Sequence, residues 1–128
     1  MPIETVNRYY RDHLKARPEA LFVFGDNMER VGLGGQAREA RYEPNAVGIP
    51  TLWAPGVFFR DSDFIPAQAR IDEAINQLRQ HLLSGGTIVL PADGVGTGLA
   101  QLPTKAPAIF AYIEAAIASL RQIQETEE

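Results

Sequence analysis

The sequence predicts an α/β fold of three layers, with a mostly parallel or mixed central sheet flanked by helices. Three observations predict it. Leu21-Phe22-Val23-Phe24 and Thr87-Ile88-Val89-Leu90 are short, apolar runs of strand character, suited to strands covered on both faces. Longer segments repeat apolar residues at helical spacing. The two kinds of segment alternate along the chain, the order that gives parallel strands joined by helices.

Taken in order, Val6, Tyr9, Tyr10, His13 and Leu14 fall on one helical face, with Thr5 as N-cap and Pro18 as terminator, so a first helix is expected. The strand at Leu21 to Phe24 halts at Gly25-Asp26-Asn27. A polar, glycine-bearing loop covers residues 28–35, and Gln36 to Tyr42 has room for two helical turns before Glu43-Pro44-Asn45. Ala46-Val47-Gly48-Ile49-Pro50 reads as a second strand, with Pro50 at its end or on a sheet edge. Residues 53–63, with Pro55-Gly56 inside, read as a loop or short hairpin.

Residues 66–83 place Ile71, Ile75, Leu78 and Leu82 on one face, opposite Asp72, Gln77 and Arg79, and Ser84-Gly85-Gly86 stops that helix. After the strand at Thr87 to Leu90 comes the loop from Pro91 to Gly98. A last helix over about 104–123 aligns Phe110, Ile113, Ile117 and Leu120, and the acidic tail beyond it is expected to fray. No repeat or linker interrupts the pattern, so one domain over residues 1–128 is expected.

The 128 residues are 45% apolar and 22% charged, ordinary for a domain with one core. No apolar run reaches the roughly 20 residues of a membrane span. Residues 1–5 carry neither a basic nor an apolar stretch, and cysteine is absent, so a cytoplasmic protein is expected, with no membrane partner. The net charge of −4 argues against general nucleic-acid binding, which needs a basic face. A small anion can still be held by main-chain N–H groups.

Two loops carry the candidate chemistry, and both follow strands, where ligands of open α/β sheets bind. Asp93-Gly94-Val95-Gly96-Thr97-Gly98-Leu99 spaces its glycines at alternate positions, which lets successive N–H groups turn inward as an anion nest. Thr97 adds a hydroxyl. The earlier loop begins Gly25-Asp26-Asn27 and ends Gly34-Gly35-Gln36-Ala37. Asn27 offers a donor and an acceptor suited to a ribose hydroxyl pair, and Gly34-Gly35 leads into a helix whose first N–H groups are unpaired. Each loop alone reads equally well as a tight turn. Together they indicate a site.

These motifs, with Pro103 opening a helix, resemble the macrodomain superfamily. Gly25-Asp26-Asn27 after a phenylalanine and Asn45-Ala46-Val47-Gly48-Ile49-Pro50-Thr51 resemble more narrowly a bacterial and phage group of macrodomain-like proteins. The resemblance covers about residues 21–110 and implies a macrodomain-like fold and a pocket for ADP-ribose. It implies that Asn27 contacts the distal ribose, that Gly34, Gly35 and Gln36 line one phosphate loop, and that residues 94–99 line the other. The chain departs from the family at three places. No Gly-Asp-Ile segment stands near the N-terminus, Gln36 follows the glycine pair where hydrolytic members carry an aspartate, and Leu52 follows Thr51 where some relatives carry a lysine.

The functional expectation is a protein that binds ADP-ribose or a related NAD-derived nucleotide, free or attached to a macromolecule, and hydrolyses ADP-ribosyl linkages. In that role Asn27 orients the ribose, and Asp26 or Asp93 steers or activates a water. The alternative is a binding module that senses the nucleotide without turnover. A Rossmann-like enzyme fits less well, because residues 94–98 come too late for an acidic ribose-binding residue on a following strand. No cofactor or metal is expected. His13 and His81 lie outside any metal-spacing cluster, Asp61 and Asp63 suit a helix cap better than a cation, Lys105 suits solvent, and Trp53, Phe58 and Phe59 suit the core better than a nucleobase stack.

Overall fold

The computed structural model describes residues 2–127, with side chains through Ile123. Four strands, β1 (Ile3–Val6), β2 (Ala20–Asp26), β3 (Ala46–Pro50) and β6 (Thr87–Pro91), form a parallel sheet in the order β1-β6-β2-β3. Between β3 and β6, the short strands β4 (Leu52–Ala54) and β5 (Val57–Phe58) pair antiparallel around Pro55-Gly56. The helices are α1 (Arg11–Ala16), α2 (Ala37–Ala40), α3 (Phe64–Leu83), α4 (Leu102–Lys105) and α5 (Pro107–Glu127).

Strand alternation sends successive side chains to opposite faces. Val23, Val47, Ile49, Ile88 and Leu90 pack with α3 and α5 in one core cluster, around Ile71, Leu78, Ile113 and Leu120. Phe22, Phe24 and Val89 point the other way and pack with Leu14 of α1 and with Ala37 and Ala40 of α2. Helices therefore cover both faces of the parallel sheet. Truncating a fully buried side chain such as Leu78 to alanine would cost about 2–5 kcal/mol.

The N-terminal expectation is corrected. Residues 3–6 are a strand, and Thr5 pairs with Leu90 instead of capping a helix. Ile3, Thr5 and Val6 are β-branched, and partners 85 residues away in sequence (Ile3↔Ile88 to Val6↔Pro91) outweigh the weak helical pattern. The helix that remains begins only at Arg11. Arg17, just past its end, grips Glu4 of β1 through two hydrogen bonds of 2.6 and 2.9 Å. That guanidinium holds the Glu4 carboxyl below the usual glutamate range.

Three boundaries also move. The two turns expected over Gln36 to Tyr42 contract to α2, because Arg41 leaves the helical region (φ −60°, ψ 140°) to enter an ion pair. Helix α3 begins two residues early, at Phe64, on a 3₁₀ turn over Asp61–Asp63. The last helix is split at Ala106 by Pro107, whose missing N–H and ring exclude a continuous ladder. Beyond the split, α5 runs to Glu127 where the tail was expected to fray; Glu128 lies outside the described residues. Pro50 does end an edge strand, where no partner requires its N–H.

Candidate functional site

The site begins with a parting of the sheet. Strands β2 and β6 are neighbours and pair from Ala20↔Thr87 to Phe22↔Val89. Beyond that point β2 stays with β3 as far as Asp26↔Pro50, while β6 stays with β1 as far as Val6↔Pro91. The two central strands separate toward their carboxyl ends, and a crevice opens between the loops that follow them. This is the place where open parallel sheets bind ligands. The Tyr9 hydroxyl sits where they part, 2.6 Å from the carbonyl oxygen of Val23 and 2.9 Å from that of Val89. Burial pushes its ionisation far above the usual tyrosine range.

The crevice widens into a cleft of about 540 Å³. Both glycine loops line it, so Asn27 and the turn at residues 94–98 share one cavity. The loops meet at their bases. An added Cβ at Gly25 would lie 3.5 Å from the Gly96 nitrogen, and Gly96 itself has φ +84° with Leu102 and Thr51 packed against its bare side. Gln36 crosses between the loops: its Oε1 accepts from the Gly25 N–H at 2.9 Å, and its Nε2 donates to the Gly94 carbonyl at 3.3 Å.

The wall of the cleft is a buried ion pair. Arg41 Nη2 lies 2.5 Å from Asp26 Oδ1, with the side chains 5% and 9% exposed. Arg41 Nε also donates to the Gly32 carbonyl at 2.6 Å, which fixes the middle of the first loop. Asp26 fits there because Gly48 has no side chain; a Cβ at that position would fall 2.5 Å from the carboxylate. Asn27 is 6% exposed, and its amide donates to the Val31 carbonyl and accepts from the Val31 N–H. It closes its own loop.

The expected site residues thus divide by environment. Gly25, Gly34, Gly35, Gln36, Ala37, Gly94, Gly96, Thr97, Gly98 and Leu99 line the cleft with Asp26, Asn27 and Asp93. Val95 does not; it is 1% exposed and belongs to the core. The Thr97 hydroxyl donates to the Asp93 carbonyl at 2.7 Å. The Asp93 carboxylate is exposed and makes no hydrogen bond or ion pair among the described residues. Along both loops the main-chain N–H groups of residues 32–36 and 96–99 likewise meet no protein acceptor among the described residues.

Sequence reasoning missed Arg41 and Thr51. Thr51 is 2% exposed, and both its N–H and its hydroxyl donate to the Asp26 carbonyl. Nothing local marks either residue, since each acts on a strand end distant in sequence. The remaining candidates have other partners. Asp61 accepts from the Ala108 N–H and Asp63 from Trp53 Nε1 and the Arg60 N–H. Lys105 lies over the Phe58 ring, Phe59 is fully buried, and Trp53 packs edge-on against it. His81 Nε2 lies 3.0 Å from the Glu19 carbonyl, and His13 packs against Tyr10.

A second hollow of about 450 Å³ flanks the outer edge of β3 and shares the Asp26–Arg41 wall. It carries charges of both signs, including Arg30, Arg70, Glu43 and Glu73; only the start of the first glycine loop, residues 26–30, borders it, and the second loop does not.

Residues 4–116 match a protein family described as a family of unknown function, DUF7831. The chain belongs to this family. No curated protein and no solved structure matches it. The resemblance to macrodomains is therefore corrected: the match over most of the chain is to DUF7831, and nothing found links it to the macrodomain superfamily. Glycine-rich loops after parallel strands arise wherever backbone must approach a ligand or another loop closely, so motifs of this kind do not specify one family. Among the described residues of this DUF7831 chain, no helix is long and apolar enough to cross a membrane.

Proposed function

We propose that the protein binds a nucleotide diphosphate of the ADP-ribose type in the cleft between the two glycine loops, and holds it without cutting it. One observation carries the reading: two loops rich in unpaired main-chain N–H groups line the same cleft at the parting of a parallel sheet. Backbone amides in such loops attract phosphate oxygens without any cationic side chain, which suits a protein of net charge −4.

Binding is favoured over hydrolysis by the state of the reactive groups. Asp26 Oδ1 is held by Arg41 and by the Asn27 N–H, and the Asn27 amide closes on Val31, so both side chains serve first to hold the loop. Asp93 is free, and it alone supports the second reading, hydrolysis of an ADP-ribosyl linkage with Asp93 activating the water. A sensor of such nucleotides belongs in the cytoplasm, where they are made.

Calorimetry with ADP-ribose, AMP and NAD tests the proposal, and ADP-ribose is expected to bind tightest. Absence of binding by all three ends it. Incubation with an ADP-ribosylated protein is expected to release no ADP-ribose. Release that disappears in Asp93→Asn would replace binding by hydrolysis.

A further inference from the structure

The polar side chains lining the inter-loop cleft are already spent within the protein. Asn27 is bonded to Val31, Gln36 to Gly25 and Gly94, and Thr51 to Asp26. Arg41 is bonded to Asp26 and to loop carbonyls, and Thr97 gives its one proton to Asp93. What these leave exposed for a ligand is the Asp93 carboxylate and the Thr97 lone pairs, together with the loop N–H groups; Asp26 Oδ2 and Arg41 Nη1, which also lack a partner among the described residues, lie back in the largely buried wall.

The apolar side chains of the same loops show the opposite pattern. Val31, Leu33 and Leu99 stand 43%, 56% and 70% exposed, although water is a poor neighbour for them. All three line this cleft. Leu99 reaches across from the second loop to the first: its Cδ1 lies 2.9 Å from where a Cβ at Gly34 would stand. The cleft thus joins an amide-rich surface to an apolar rim.

Resting on the diphosphate reading above, we propose that this rim holds the base of a nucleoside diphosphate by its faces, between Leu33 and Leu99, and reads no edge of it, so that purine and pyrimidine nucleotides bind alike. An aromatic base has two apolar faces whatever its edge. The acceptors left on the rim do not select among bases, because adenine, guanine and uracil each offer an N–H. A site that bonds a particular edge discriminates by orders of magnitude, whereas an apolar slot discriminates weakly.

The test is calorimetry with pyrophosphate, ADP, GDP and UDP on the wild type and on Leu99→Ser and Leu33→Ser. Both leucines are largely exposed, so the variants are expected to fold, and thermal unfolding checks this. The expected result is three nucleotides within about fivefold of one another, all more than about fivefold tighter than pyrophosphate. In both variants that advantage should shrink below about fivefold while pyrophosphate affinity holds. A preference for one base above about fivefold overturns the proposal, as does an advantage that survives in both variants. Pyrophosphate bound as tightly as the nucleotides overturns the base seat and leaves the diphosphate reading standing. No binding of any of the four overturns the base seat, and the diphosphate reading falls with it only when ADP-ribose also fails to bind.

Discussion

The Gln36 side chain takes the place of a missing rung between Gly25 and Gly94. Where β2 and β6 part, no backbone hydrogen bond joins the two chains, and the Gln36 amide supplies an acceptor to one side and a donor to the other. It spans the split as a peptide group of an intervening strand would. Arg41 and Asn27 tie the first loop to itself and to β2, but Gln36 is the side-chain brace that ties it to the second loop.

Replacing that brace should loosen both loops together. Gln36→Ala loses two hydrogen bonds and should lower stability by about 1–3 kcal/mol. ADP-ribose affinity should fall at least about tenfold, since disordered loops must be ordered on binding. Gln36→Glu keeps the acceptor for Gly25 but sets a carboxylate against the Gly94 carbonyl and inside the cleft, so ADP-ribose affinity should fall at least as far as in Gln36→Ala. Chemical denaturation and calorimetry on the same samples check both effects; a variant with normal affinity would show that the brace does not shape the cleft.

Two glycines of the second loop should behave in opposite ways. Gly98 lines the cleft with open space at its Cβ position, so Gly98→Glu should leave the melting temperature unchanged. It adds a carboxylate beside the anion seat, and ADP-ribose affinity should drop by more than about tenfold. Gly96 has φ +84° and tight neighbours, so even Gly96→Ala should cost about 1–3 kcal/mol of stability. Thermal melts with calorimetry separate the two. Equal destabilisation by both changes would contradict the geometry.

The ion pair in the cleft wall should be costly to break on one side. Asp26→Asn leaves the Arg41 charge buried without its partner and should lower stability by about 3–5 kcal/mol. Adding Arg41→Met removes the stranded charge and should recover part of that loss. A double-mutant cycle from denaturant titrations measures the coupling, and additive effects would mean that the pair is not coupled.

Alkaline pH should act through Tyr9. Its folded-state ionisation is raised above the ordinary value of 10.0, so its contribution to stability is complete below that pH and is lost as pH rises above it, where the unfolded chain ionises first. Tyr9→Phe should cost about 1 kcal/mol at neutral pH by losing the bond between the parting strands. The same variant should flatten the decline above pH 10. Stability curves from pH 7 to about 11 decide it; an unchanged alkaline slope would assign the decline to other groups.

Much of the fold lies in local pattern. The runs at Leu21 to Phe24 and Thr87 to Leu90 are apolar on both faces because both faces are covered, and the face of α3 is legible at Ile71, Ile75, Leu78 and Leu82 for the same reason. The first strand was illegible. Its four residues are too few for a pattern, and their partner β6 is distant in sequence. The candidate site divides the same way: glycine spacing marks both loops, while nothing in the sequence shows that Asn27 spends its amide on Val31 or that Val95 turns inward.

Composition and periodicity, by themselves, determined an alternating α/β chain with two glycine loops that follow strands, because burial on two faces and backbone freedom are properties of short segments. Only the tertiary structure decided that β2 and β6 are neighbours that part, that Gln36 bridges the gap, and that Arg41 neutralises Asp26. Each of these joins residues far apart in the chain, and strand order is fixed by how the whole core packs.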